Sequence, residues 1–273
     1  MSKLQNFNYQ ILGKESGPKL IFLHGLMGNL ANWRKITSKF VDRYHIFIFD
    51  QRGHGRSFHP QGEYSPETYA EDLKDLVDEL GWSEFSLVGH SMGGRNAINF
   101  SSRWPERVKK LVIEDIAPVF SSKAVDRIKR LLNLVPTPFE SRAKARHFFQ
   151  KEFAQLIKEE PQPEILSQYF YTNIVENSQG QANWRFSRQG VIASVEAGRA
   201  LSRWDEVESL EVPALLIKGE NSEELNNENF DKMLRCNSHI RGVVIKGAGH
   251  WVHNDNPQEF CRVIKEFFEK SES

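Results

Sequence analysis

The chain has 273 residues, 39% hydrophobic and 26% charged, a globular composition that excludes a disordered or membrane-embedded class. Its 36 basic and 36 acidic side chains cancel, so no global charge is available to hold nucleic acid or an anionic bilayer. No stretch approaches the ~20 apolar residues that span a membrane, and the opening MSKLQNFNYQ lacks the apolar core of a secretion signal.

In chain order, short runs of branched and aromatic residues alternate with helical patterns. The strand candidates are Leu20–Leu23, Ile46–Phe49, Phe85–Val88, Leu111–Ile113, Ala214–Ile217 and Val243–Ile245, with Phe7–Leu12 a possible first, antiparallel strand. Glu67–Leu80 reads as a helix, with Leu73, Leu76, Val77 and Leu80 at helical spacing, Pro66 before it and Gly81 after it. Pro257–Phe268 carries Phe260, Val263, Ile264 and Phe267 on one stripe. This alternation predicts an α/β fold with a mostly parallel central sheet flanked by helices. Residues 118–204 show no convincing strand, only helical patterns broken by Pro136, Pro138, Pro161 and Pro163. They are expected to form a helical cap inserted into a core made of residues 1–117 and 205–273. Cys236 and Cys261 are too few for a disulfide framework and have no metal-ligand spacing. They read as buried or partly buried free thiols, and a reducing, cytoplasmic location is the matching expectation.

The strongest chemical signal is Val88-Gly89-His90-Ser91-Met92-Gly93-Gly94, a G-x-S-x-G between a strand and a helix beginning near Gly93. Small residues two before and two after the serine permit a sharp turn that lifts its hydroxyl above the sheet. Ser91 is therefore the candidate nucleophile. Its oxyanion donors are expected from the backbone N–H of Met92 and from that of Leu26, in the His24-Gly25-Leu26-Met27-Gly28 loop after the first central strand. The imidazole of His24 reads as a loop-shaping group. In the order serine, acid, histidine, the base comes late. His250, in Gly247-Ala248-Gly249-His250, follows the last strand candidate and is preferred to His253. The turn after Ala214–Ile217, a common place for the acid, reads Gly219-Glu220-Asn221-Ser222 and puts a serine where a carboxylate would stand. Asp115, at the end of the preceding strand, is the candidate acid; Glu220, Glu223 and Glu224 are the alternatives. Glu114 is expected to face the other side by strand alternation.

HGLMGNLANW, DQRGHGRS, GHSMGG, EDIAPV, ANWRF and GAGHWVHNDNPQEF carry a resemblance. The chain resembles the α/β-hydrolase superfamily from end to end and, within it, the YbfF-type esterases and their mitochondrial relatives. HG and GHSMGG are widespread there, whereas DIAPV and GHWVHNDNPQEF are more specific; Val119 to about Leu201 matches least. The resemblance implies Asp115 as the acid. It also implies hydrolysis of short- to medium-chain acyl esters, with thioesters as a further substrate class. The residues themselves show no cluster with metal-ligand spacing and no Gly-rich phosphate loop, so an acyl-enzyme cycle on a small-molecule substrate is expected with no metal or organic cofactor, in a monomer or small homo-oligomer. The rival readings are a carbon–carbon bond hydrolase or lyase on the same fold, or a non-enzymatic binding module. The aromatic residues of the cap, among them Phe139, Phe148, Phe149, Tyr169 and Phe170, are expected mostly to pack the cap, with a few lining an acyl pocket.

Overall fold

A computed structural model describes residues 2–269. Among the described residues nine strands form: β1 (Tyr9–Gly13), β2 (Lys19–Leu23), β3 (His45–Phe49), β4 (Phe85–His90), β5 (Val108–Glu114), β6 (Ile174–Glu176), β7 (Ala182–Trp184), β8 (Ala214–Gly219) and β9 (Ile240–Ile245). Seven of them make one sheet in the order β1-β3-β2-β4-β5-β8-β9. Only β1 runs antiparallel, against β3; the other pairings are parallel. Each predicted strand lies in this sheet, and the antiparallel strand expected near Phe7–Leu12 runs from Tyr9 to Gly13.

The central strands are hydrophobic on both faces because helices cover both faces. Alternation divides their side chains between two cores. Ile21, Phe47, Leu87, Leu111 and Leu216 face one side and meet Leu73, Leu76 and Phe100. Phe22, Ile46, Val88, Val112 and Ile217 face the other and meet Trp33, Phe260 and Ile264. The helix Pro66–Glu79 starts as its sequence dictates: Ser65 caps it by accepting from the Thr68 N–H, and proline takes the first position. Gly81, at φ 67°, ends it. The terminal helix runs Pro257–Glu269.

The segment between β5 and β8 departs from the all-helical expectation. It holds the helices Ser122–Asn133, Arg142–Phe148, Pro163–Thr172 and Arg188–Arg199, but β6 and β7 also pair as an antiparallel hairpin. These strands are three residues each, too short to show period-two alternation. Their turn, Asn177 to Gln181, closes through the Asn177 N–H to the Gln181 carbonyl, with Gly180 at φ 80°. The segment has its own aromatic core of Phe139, Phe148, Phe149, Phe153, Phe170 and Trp184, which also takes in Met27 from the loop after β2.

Candidate active site

The chain visits β2, then β3 on one side, then β4 on the other. The loops leaving β2 and β4 therefore diverge, and open α/β sheets bind ligands in the crevice between such loops. The register aligns four strand ends there: Leu23 beside Gly89, His90 beside Glu114, and Glu114 beside Ile217.

Ser91 stands at the end of β4 with φ 52° and ψ −116° and opens the helix Met92–Arg103. The two elbow glycines are required by close approach. A Cβ on Gly89 would lie 2.3 Å from the Gly93 carbonyl oxygen, and one on Gly93 would lie 2.4 Å from that of Leu23. Among the described residues, four non-glycines have positive φ, namely Met27, Ser91, Asp115 and Gln162. Three of these border the site, where backbone strain tends to be stored.

The predicted residues come together. The Ser91 hydroxyl lies 3.0 Å from His250 Nε2, and His250 Nδ1 lies 2.8 Å from Asp115 Oδ2. With Nδ1–H donating to the carboxylate, Nε2 is left to accept from the serine hydroxyl. Asp115 is fully buried. Its Oδ1 accepts the Gly219 N–H at 2.9 Å, and its Oδ2 also accepts a short hydrogen bond from the Ser222 hydroxyl. The serine in the later turn thus donates to the candidate acid of the earlier strand. Of the alternative acids, Glu220 accepts the Gly247 N–H, and Glu224 pairs with Arg199 and Arg127. Burial alone would lower the pKa of His250, but the hydrogen bond and charge of Asp115, helped by Glu224 and Glu114, raise it above 6.5.

Leu26 and Met92 line one cavity with Ser91 and His250. Met92 is the first residue of its helix, where backbone N–H groups have no partner within the helix. The Leu26 loop is held from several directions. His24 Nδ1–H donates to the Gly25 carbonyl, its Nε2 accepts the Gln51 N–H, and the Gln51 amide binds the His24 carbonyl. The Tyr169 hydroxyl, from the segment between β5 and β8, donates to the Leu26 carbonyl at 2.8 Å.

His90, Glu114 and His253 are the only group of three potential metal ligands among the described residues, with ligand atoms within 4.8 Å of one another. They hydrogen-bond to one another and to the neighbouring backbone. Glu114 accepts from both the backbone N–H and Nδ1–H of His253, and His90 Nε2–H donates to the His250 carbonyl at 2.9 Å. The trio buttresses the loop that carries His250. Sequence reasoning missed this buttress and the role of Ser222, because each depends on contacts across strand ends far apart in the chain. Cys236 is half-buried and Cys261 buried, both as free thiols.

The cavity measures about 100 Å³, and Met27, Leu131, Tyr169 and Phe170 also line it. It adjoins a wider groove of about 520 Å³ that runs past His250 and Trp251 toward Asn221 and Phe120. Most of the predicted cap aromatics belong to the packed cluster, whereas Phe120 is exposed. No helix among the described residues is long and apolar enough to cross a membrane.

Residues 18–257 match the model of the alpha/beta hydrolase fold family. The chain is 29% identical to Esterase YbfF of Escherichia coli over 91% of its own length and 92% of that protein. It is also 29% identical to the sn-1-specific diacylglycerol lipase ABHD11 of Mus musculus, over 95% of its length and 84% of the lipase. A solved marine microorganism esterase superposes with a TM-score of 0.80 at 30% identity, covering 96% of this chain and 99% of that one. With the sheet order, the serine elbow and these likenesses in agreement, the chain belongs to the α/β-hydrolase family and is a hydrolytic enzyme of the esterase type.

Proposed function

We propose that the protein is a serine esterase or thioesterase that cleaves small acyl esters through an acyl-enzyme, with Ser91 as nucleophile, His250 as base and Asp115 as the group that orients and stabilises it. The observation that carries this reading is the hydrogen-bonded chain from Ser91 Oγ to His250 to Asp115, opening into a cavity. Ser91 Oγ attacks the carbonyl carbon as its proton passes to His250 Nε2. Negative charge develops on the carbonyl oxygen, where the N–H groups of Leu26 and Met92 receive it. The carbon–oxygen or carbon–sulfur bond to the leaving group then breaks, and His250 returns the proton to the alcohol or thiol. Water repeats the sequence on the acyl-enzyme, releasing the carboxylic acid and restoring Ser91. Residues 118–204 act as a cap over the site. The relatives named esterase and lipase support an ester substrate, and the small cavity favours a short acyl group.

Hydrolysis of p-nitrophenyl esters and acyl-CoAs of graded length, with wild type beside Ser91→Ala, tests the reading. The variant is expected to stay folded and lose about 10³–10⁶ in kcat. Retention of wild-type rates, or failure of a fluorophosphonate to label Ser91, would end the assignment.

A further inference from the structure

One turn along the helix from Ser91 stands Arg95, whose N–H donates to the Ser91 carbonyl at 3.0 Å. Residues four apart share a helix face, and the Arg95 side chain lines the same cavity as Ser91 while being 5% exposed. The arginines around it all have carboxylate partners. Arg199 pairs with Glu224, Arg127 with Glu160 and Glu224, and Arg203 with Glu67 and Glu206. Among the described residues, nothing accepts a hydrogen bond from the Arg95 guanidinium and no carboxylate lies within ion-pair distance of it. Arg95, Arg127 and Arg199 against Glu224 leave the cavity wall positive. A buried cation without a counter-ion is costly, and burial together with the charge of Arg199 disfavours its protonated form. The fold nevertheless makes room for it. Gly198, on the helix Arg188–Arg199, is where a Cβ would come within 2.5 Å of Arg95 Nη1.

We propose that Arg95 receives a carboxylate on the acyl part of the substrate, so that the preferred substrates are half-esters or half-thioesters of short dicarboxylic acids. This rests on the reading of Ser91 as nucleophile. Arg95 lines the small cavity beside Ser91 and not the wider groove toward Asn221 and Phe120 that suits a leaving group. The cavity of about 100 Å³ that the two residues share has room for an acyl chain of few carbons. The planar guanidinium suits a bidentate carboxylate. The phosphates of a coenzyme A leaving group lie many bonds from the thioester and face the groove instead.

The test compares kcat/KM for monomethyl succinate and monomethyl glutarate with that for methyl butyrate and methyl pentanoate, followed by proton release. The wild type is expected to favour the half-esters by at least about tenfold, the worth of a hydrogen bond to a charged group. Arg95→Met should abolish that preference, and Gly198→Ala, which keeps the arginine but displaces its guanidinium, should reduce it. A second readout needs no turnover. Calorimetry should show glutarate binding to Ser91→Ala at least about tenfold more tightly than to the Ser91→Ala/Arg95→Met double variant. Equal wild-type rates on both ester classes, with a ratio that Arg95→Met leaves unchanged, would overturn the proposal while the esterase reading stands. Arg95-dependent glutarate binding in a protein that hydrolyses none of the esters would keep the anion site and remove the esterase. Glutarate binding that ignores Arg95 would overturn the site.

Discussion

At the scale of single residues, the site is a balance of strain and charge. Ser91 is held at φ 52°, a conformation glycine adopts at less cost. Ser91→Gly is therefore expected to be more stable than the wild type by about 1–3 kcal/mol, the usual cost of such strain, while losing activity; a lower melting temperature would argue that the elbow is relaxed. The charge balance sets the pH response. In its proposed role as base His250 must be neutral to act, and its pKa is raised above 6.5, its burial outweighed by Asp115. Activity should therefore climb with pH through a midpoint above 6.5, and a pH–rate profile already flat at pH 6 would contradict a histidine base. Ser91, His250 and the G-x-S-x-G elbow were legible in the sequence because a local motif and chain order point to them. Asp115 was legible through its position at a strand end. Arg95 was not, since nothing in GHSMGGRN distinguishes an arginine facing solvent from one facing a cavity.

The secondary-structure elements differ in how openly they announce themselves. Strands buried on both faces, such as Ile46–Phe49 within β3, are continuous apolar runs, and helices such as Pro66–Glu79 carry a proline start and a glycine stop. The β6–β7 hairpin gives no such signal; three-residue strands acquire their identity from the bridge between Phe139 and Ala182 and from the aromatic cluster around them. The helix Pro163–Thr172 has a further task, because its Tyr169 hydroxyl ties the loop after β2 in place and its ring packs on Trp251 beside His250. Tyr169→Phe keeps the ring and removes the tie. It is expected to lower kcat/KM by up to about tenfold and stability by no more than about 1.5 kcal/mol. An unchanged rate would mean that the loop holds its shape without the insertion.

Across the whole molecule, the insertion is fastened to the sheet by ion pairs that meet at Glu224, in the loop after β8. Arg199 and Arg127 reach it from two helices of the insertion. Burial would raise the pKa of Glu224, but His250, Arg199, Arg127 and Arg95 together lower it below 4.5. A carboxylate depressed in the folded state adds stability above its unfolded pKa and loses it as pH falls through the folded one. The clamp is thus closed at neutral pH and opens only in acid. Glu224→Gln is expected to speed amide hydrogen exchange in Arg188–Arg199 at pH 7 while leaving β4 and β5 protected; exchange equal to wild type would place the fastening elsewhere.

The sheet order has a consequence for the life of the polypeptide. The parts that meet at the strand ends come from near residues 26, 91, 115, 222 and 250, so about nine-tenths of the 273 residues must be synthesised before Ser91 meets His250. A nascent chain therefore carries an inert serine, and pairings between strands distant in sequence form slowly. Recovery of hydrolysis after dilution from denaturant should be the last signal to return, later than helical circular dichroism, which makes the enzyme its own reporter of a completed sheet.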